Sequence, residues 1–338
     1  TLRLQKFHEY DDRDPKSGEV KFETKNAQNK FFHSFCQSMN STVAKKYPAW
    51  FASYSAAMES LGATGTAYTA AGRMVCGLSN NPAMETGLAL HHLYGFPLIP
   101  ASSLKGVVHH LAESKLSVPV PSKSLPEEPP AGLLDALAEA EKIRAVFGSV
   151  FVKSHLQDND SESHGRADYP SAFCLLCDWY GYLNNIPFLS DGWKIVRSHL
   201  ELVVNHHTGG IVSFFDAVPD PVSLKESKEI LGIDIMNPHY PDFLRDGKKY
   251  PTDDQNPTPI TFLTTMPGIR FMCYYRLNMA RLAGWPTADQ LAPLPGRASV
   301  RDVLTTKAVG DYIVALLGES LAMYGVGAKT AAGYGYFT

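Results

Sequence analysis

Gly325-Val-Gly-Ala-Lys-Thr-Ala-Ala-Gly-Tyr-Gly-Tyr336 is the stretch on which the reading of this chain turns. Four glycines in eleven residues permit positive φ and close backbone approach, while Lys329 and Thr330 add a charge and a hydroxyl, so the run reads as a cradle for phosphate. It is not a nucleotide P-loop. The residue before Lys329 is Ala328 where that motif needs glycine, and the run follows a helical segment instead of opening one. A helix C-cap leading into a last strand explains Gly325 but not the repeated glycines, Gly327 among them. Tyr334 offers a ring to stack on a base, with partial burial in the core as the alternative.

Working back from this run, Val300 to Tyr324 reads as one long helix with Val309, Ile313, Leu316 or Leu317, and Leu321 facing inward. Ile260 to Leu277 reads as a hairpin turning at Pro267-Gly268, and Gly210 to Ala217 as a strand. In the first half, aromatic residues at helical spacing over Lys25 to Leu61, broken at Pro48, predict two helices, and Arg73 to Leu78 a short strand. Leu104, Val107, Val108 and Leu111 predict a helix from about Ser103, and Leu133 to Phe147 another. Five prolines within residues 117–131 predict a mobile loop. The polar and then aromatic stretch over 148–209 reads as an insertion.

Pro100-Ala-Ser-Ser-Leu-Lys-Gly106 is the second motif. Ser102 and Ser103 read as N-cap residues, and a helix N-terminus carries unpaired N–H donors that favour an anion. Ser102, Lys105 and His109 fall on one helical face, so hydroxyl, ammonium and imidazole can converge on a phosphate. An ordinary capped helix with a solvated lysine is the competing reading.

Composition limits the classes available. The chain has 338 residues with 44% hydrophobic content, enough for a substantial core, and no apolar run long enough for a membrane span. The polar start Thr1-Leu-Arg-Leu-Gln-Lys and only five cysteines lead us to expect a cytoplasmic protein without a disulfide framework. The net charge is −3, but from Arg270 onward seven Lys or Arg stand against four Asp or Glu, a local +3 that leaves −6 for residues 1–269. Any RNA surface must therefore be a local patch. Cys174-Leu-Leu-Cys177 has no second pair and reads as two core thiols on a buried strand. The His pairs 91/92, 109/110 and 206/207 lack a metalloprotease context, and no Gly-x-Ser-x-Gly elbow occurs. We expect no cofactor and no metal.

Glu85-Thr-Gly-Leu88, Pro100 to Gly106 and Gly325 to Phe337, in this order, resemble the pattern of the RAMP superfamily of CRISPR proteins. Phe214-Phe-Asp-Ala-Val-Pro219, Asn237-Pro-His-Tyr240 and Pro257-Thr-Pro-Ile-Thr-Phe-Leu263 resemble in particular the sixth subunits of type III-B (Cmr) complexes. The resemblance implies an α+β fold: a ferredoxin-like, RRM-like βαββαβ core over 73–338, a helical N-terminal extension over 1–72 and large insertions, 148–209 among them. It also implies a subunit that grips the 3′ part of the CRISPR RNA by its backbone, meets target RNA through the complex, and contacts the backbone and small helical subunits. Two departures stand out. Ala101 replaces the usual glycine, and His109-His110 stand where arginine is common.

Catalytic relatives cut target RNA with a metal-binding aspartate on the loop after the first strand. The corresponding loop, Ser79 to Thr86, has none; Glu85 belongs to the Glu-Thr-Gly segment, and a lone carboxylate holds magnesium poorly. Asp216 reads as a cap or backbone partner. A non-catalytic RNA-binding subunit is expected, with a RAMP-type metal-dependent RNA endonuclease as the alternative.

Overall fold

Phe32, Phe35 and Cys36, then Tyr47 and Met58, are buried at helical intervals along the first element, α1 (Lys25–Ser60). The sequence predicts two helices broken at Pro48, but α1 runs through it. Proline removes one helix hydrogen bond. That loss is offset on both sides: before it the Tyr47 hydroxyl bonds the Pro219 carbonyl and Asn40 accepts the N–H groups of Ile230 and Leu231, both at 3.1 Å, and after it the Tyr54 hydroxyl bonds the Asp216 carbonyl at 3.1 Å. The computed structural model describes residues 25–79, 86–121, 124–148, 172–206, 209–227, 229–237 and 259–338.

The remaining elements are β1 (Thr64–Thr69), α2 (Ala101–Ser114), α3 (Ala131–Phe147), α4 (Ala172–Asn184), α5 (Asp191–Asn205), β2 (Val212–Phe214), β3 (Val218–Pro219), α6 (Pro221–Glu226), β4 (Leu231–Met236), β5 (Ile260–Thr265), β6 (Arg270–Leu277), α7 (Val300–Val303) and α8 (Thr306–Met323). Two 3-10 turns, Met279–Gly284 and Thr330–Ala332, complete the order. Among the described residues the architecture mixes helix and sheet, as an α+β chain should.

The chain divides into two compact units. The first comprises Thr1–Leu104, Phe215–Tyr274 and Leu321–Thr338. In it β6 pairs with β1 and, antiparallel, with β3 (Val218↔Met272), while β4 and β5 form a separate antiparallel pair from Leu231↔Thr265 to Met236↔Ile260. Phe32, Met74, Phe96, Ile99, Phe262 and Phe271 fill its core. The second unit comprises Lys105–Phe214 and Tyr275–Ser320. There β2 pairs with the end of β6 (Val212↔Leu277), and the helices bury Leu137, Ile143, Trp179, Trp193, Leu200 and Ile313.

Several expectations are corrected. Residues 73–78 contribute only a bridge, Met74↔Thr265, and the first strand lies earlier, at β1. β5 and β6 turn at Pro267-Gly268 as read, yet they join different sheets; two apolar strands around a turn look the same in sequence whether or not they pair. The segment Gly210 to Ala217 yields only the short β2. The long C-terminal helix is broken at Leu304-Thr305: Ser299 caps α7, and the Thr305 hydroxyl accepts the Ala308 N–H at 3.2 Å to start α8. Val309, Ile313, Leu316, Leu317 and Leu321 are all buried. Cys174 and Cys177 lie on a helix, α4, with Cys177 buried and Cys174 half-buried. The proline-rich stretch is tethered, since the indole N–H groups of Trp179 and Trp193 bond the carbonyls of Pro119 (2.6 Å) and Pro126 (2.9 Å). The bridge Gly148↔Gly209 joins the two ends of the segment read as an insertion.

Candidate nucleic-acid interface

After α8 the chain turns at Gly325 (φ 68°) and folds back on residues 73–76. Val326 N–H bonds Gly335 O (2.8 Å), Ala328 N–H bonds Val75 O (2.7 Å) and Gly335 N–H bonds Arg73 O (2.8 Å). A Cβ on Gly327 would lie 2.3 Å from the Val75 carbonyl oxygen, and one on Gly335 2.1 Å from that of Val326. Gly325, Gly327 and Gly335 are thus explained by the loop's packing on its own chain, and Gly333 by its positive φ alone. The loop leaves Gly327 and the turn over 331–333 exposed, and Lys329, Thr330 and Tyr334 beside them half-buried.

Lys329 adopts a left-handed conformation (φ 63°, ψ 29°), and its ammonium lies 5.5 Å from the centroid of the Phe262 ring. It has no acidic partner among the described residues. Tyr334 instead donates its phenol to Asp234 Oδ2 at 2.7 Å, with its ring 6.0 Å from that of Phe262. Arg73 bonds the same carboxylate oxygen at 3.0 Å and the Ile233 carbonyl at 2.8 Å. Burial by itself would raise the Asp234 carboxyl, but the Tyr334 hydroxyl, the Ile235 amide and Arg73 outweigh it and hold the group below its ordinary range. The aromatic and charged parts of the loop are therefore held in place by residues on β4 and β5. Asp234 carries no sequence signal, Phe262 falls within the Pro257 to Leu263 segment without a role assigned to it, and Arg73 reads only as the start of a strand.

Helix α2 opens at Ala101, ahead of both serines, and its first N–H is accepted by Asp216 Oδ1 at 2.8 Å. Ser102 is exposed and Ser103 half-buried within the first turn, so neither is the cap. Asp216 acts on backbone, as its setting suggested, and already places a carboxylate at the helix end. Asp216→Asn keeps the acceptor but removes the charge, whereas Asp216→Ala removes both; we expect the latter to cost about 0.5–2 kcal/mol in urea unfolding and the former less.

In the second unit, Lys105 is half-buried with no acidic partner among the described residues, and burial followed by the Arg281 charge lowers its pKa. Arg281 donates to Gly210 O at 2.6 Å. His109 departs from its expected role. Its side chain is 12% exposed, its ring lies 5.1 Å from that of Phe147, and its Nε2 stands 3.4 Å from Glu113 Oε1 without hydrogen-bond alignment. Burial, then the charges of Arg144, Lys105 and His110, bring its pKa down to about 4, so it is neutral at physiological pH and brings no charge to a phosphate. Ser102 and Ser103 thus share the first unit with Gly325, Gly327, Lys329, Thr330 and Tyr334, while Lys105 and His109 belong to the second. Glu85 lies outside the described residues. Among the described residues no group of three or more His, Cys, Asp or Glu is arranged to hold a metal, and no helix is long and apolar enough to cross a membrane.

The family model of the RAMP superfamily matches residues 46–338. The chain belongs to the RAMP superfamily. This RAMP protein is 27% identical over 295 residues to the CRISPR system Cmr subunit Cmr6 of Pyrococcus furiosus, covering 86% of this chain and 72% of that one. Among solved structures it is similar to a chain of the cryo-EM structure of the Type III-B Cmr-beta bound to cognate target RNA (17% identity, TM-score 0.47, 93% of this chain and 74% of that one). It is also similar to crystalline Cmr6 from Pyrococcus furiosus (24% identity, TM-score 0.35, 82% and 96%).

Proposed function

We propose that this RAMP protein is a non-catalytic, guide-RNA-binding subunit of a type III-B (Cmr) CRISPR effector complex. The observation that carries the reading is its similarity to Pyrococcus furiosus Cmr6 across 86% of the chain. In this reading it works in the cytoplasm and holds the 3′ part of the CRISPR RNA by its backbone. It meets target RNA through the complex and packs against the backbone and small helical subunits. Lys329 on the glycine loop and Lys105 on α2 are the charges that face phosphate, which their lack of acidic partners among the described residues supports. The commitment of Asp216 to the start of α2 supports a non-catalytic role.

The organisation proposed with it is a helical extension over 1–72 and a ferredoxin-like domain over 73–338 with an insertion at 148–209. The Gly148↔Gly209 bridge supports the insertion, whereas β1 at Thr64–Thr69 moves the start of the sheet ahead of residue 73.

The test is a reconstituted complex carrying single substitutions. Lys105→Gln and Lys329→Gln should each weaken RNA binding equally for all sequences and reduce the salt slope by about one unit. Unchanged affinity in both places the site elsewhere. With magnesium and target RNA, Glu85→Ala and Asp216→Asn should leave any cleavage by the complex as it is; loss of cleavage in an intact complex makes the subunit a metal-dependent RNA endonuclease.

A further inference from the structure

The turn His91–Gly95 is unusual in what it shows to solvent. It is closed by Gly95 N–H to His91 O (2.7 Å) and His91 N–H to Phe96 O (2.8 Å), and it leaves Leu93 71% and Tyr94 45% exposed. Three ring pairs around it are near-parallel, while Trp50 is tilted by 49–65° to Phe96, Tyr94 and His91. Trp50 and Tyr54, one turn apart on α1, stack at 4.9 Å and 14°; His91 and His92 at 5.1 Å and 17°; Tyr94 lies 6.4 Å from Phe96 at 13°. Fully buried Phe96 ties the pairs together, 4.6 Å from Trp50 and 4.7 Å from His91.

The contacts of His91 fit one tautomer. Its Nδ1 accepts the N–H groups of Leu93 and Tyr94, both at 3.4 Å, so a neutral ring carries its proton on Nε2. Burial and the neighbouring His92 lower its pKa against the pull of Asp216, which agrees with a neutral ring. The cluster therefore combines flat faces with hydrogen-bonding edges, and Lys46, exposed one turn before Trp50, adds a cation. It also adjoins the start of α2: the Tyr54 hydroxyl bonds Asp216 O at 3.1 Å, and Asp216 caps Ala101, next to exposed Ser102.

We propose that the turn His91–Gly95, backed by Trp50 and Tyr54, is a stacking platform for unpaired RNA bases, with the faces of His92 and Tyr94 as its outer steps. Every base has a π-face, so such a platform holds single strands with little sequence preference. Rings also anchor protein interfaces, so the choice of RNA rests on the stacked ring pairs, the Lys46 cation and the adjoining start of α2 with exposed Ser102. The proposal rests on the RNA-binding reading above and adds a base-contacting site to its backbone contacts.

The full-length chain is titrated with single-stranded oligoadenylate and oligouridylate RNA. Binding should quench tryptophan fluorescence through Trp50, the half-buried one; Trp179, Trp193 and Trp285 are only 2%, 1% and 3% exposed. Tyr94→Ala and His92→Ala should each weaken binding roughly five- to a hundred-fold with the salt slope unchanged, while Tyr94→Phe retains affinity. RNA carrying 5-iodouridine should cross-link to Tyr94 or His92. Wild-type affinity in both alanine variants, with Lys105→Gln or Lys329→Gln still weakened, overturns the platform and leaves the RNA-binding reading standing. Loss of sister-subunit association with RNA affinity intact makes the turn a protein interface and overturns it too. Failure of the unsubstituted protein to bind RNA, alone or in the complex, rejects the reading and the platform together.

Discussion

Gly335→Ala is expected to destabilise the protein by about 3–5 kcal/mol, seen as a large drop in the urea midpoint. The position has φ 76°, and the new Cβ would meet the Val326 carbonyl oxygen at 2.1 Å and the Val326 nitrogen at 3.2 Å. The left-handed conformation alone costs alanine about 1–2 kcal/mol. The obstacle is backbone, so relief requires opening the Val326–Gly335 and Gly335–Arg73 hydrogen bonds, each worth about 0.5–1.5 kcal/mol. Gly333→Ala is the control. That residue also has positive φ (89°), but nothing lies within 4 Å of its Cβ position, so only the conformational cost applies. Equal losses in the two variants would contradict the packing of the loop against itself.

His199→Leu should be as damaging, by about 3–5 kcal/mol, because it strands Glu141 in the interior. The pair joins α5 to α3: His199 Nδ1 meets Glu141 Oε1, and His199 Nε2 lies 3.0 Å from the Ala292 carbonyl. Both ring nitrogens face acceptors, so the pair needs one proton more than a neutral imidazole beside a carboxylate. Burial lowers the imidazole, and the Glu141 hydrogen bond and charge, with the Ala292 carbonyl, more than offset it, leaving the folded value above 6.5. Burial likewise raises Glu141, against its bond to His199. Both shifts have the same sign. The stabilisation is complete below the unfolded imidazole value and is lost as pH rises through the raised folded value. Relative to the double variant His199→Leu/Glu141→Leu, the wild-type protein should lose stability as pH climbs above the ordinary imidazole value of about 6.5. A difference that is flat above that value would contradict the shared proton.

The features legible in the sequence are those set by neighbours along the chain. The apolar stripe of α2 and the span of α3 follow from spacing, and the glycine run announces a backbone conformation that other residues avoid. The failures come from partners far away. Asp216 is legible as a cap or backbone partner, but its partner Ala101 lies 115 residues off, and Arg73 and Tyr334 meet Asp234 across 161 and 100 residues, so no local pattern marks these pairings. Pro48 shows the same effect, since distant contacts through Tyr47 and Asn40 carry α1 past a residue that locally argues for a break. His109 fails for a different reason: helical spacing gives a face, but whether that face is wet depends on Phe147.

Lys329 is the described non-glycine residue with positive φ, in a loop where glycine already fills that role repeatedly. Glycine or asparagine would relieve about 1 kcal/mol of backbone cost there. Selection for stability alone would therefore replace this lysine. The left-handed backbone instead sets where the ammonium stands, 5.5 Å from the centroid of the Phe262 ring, at a small cost in stability.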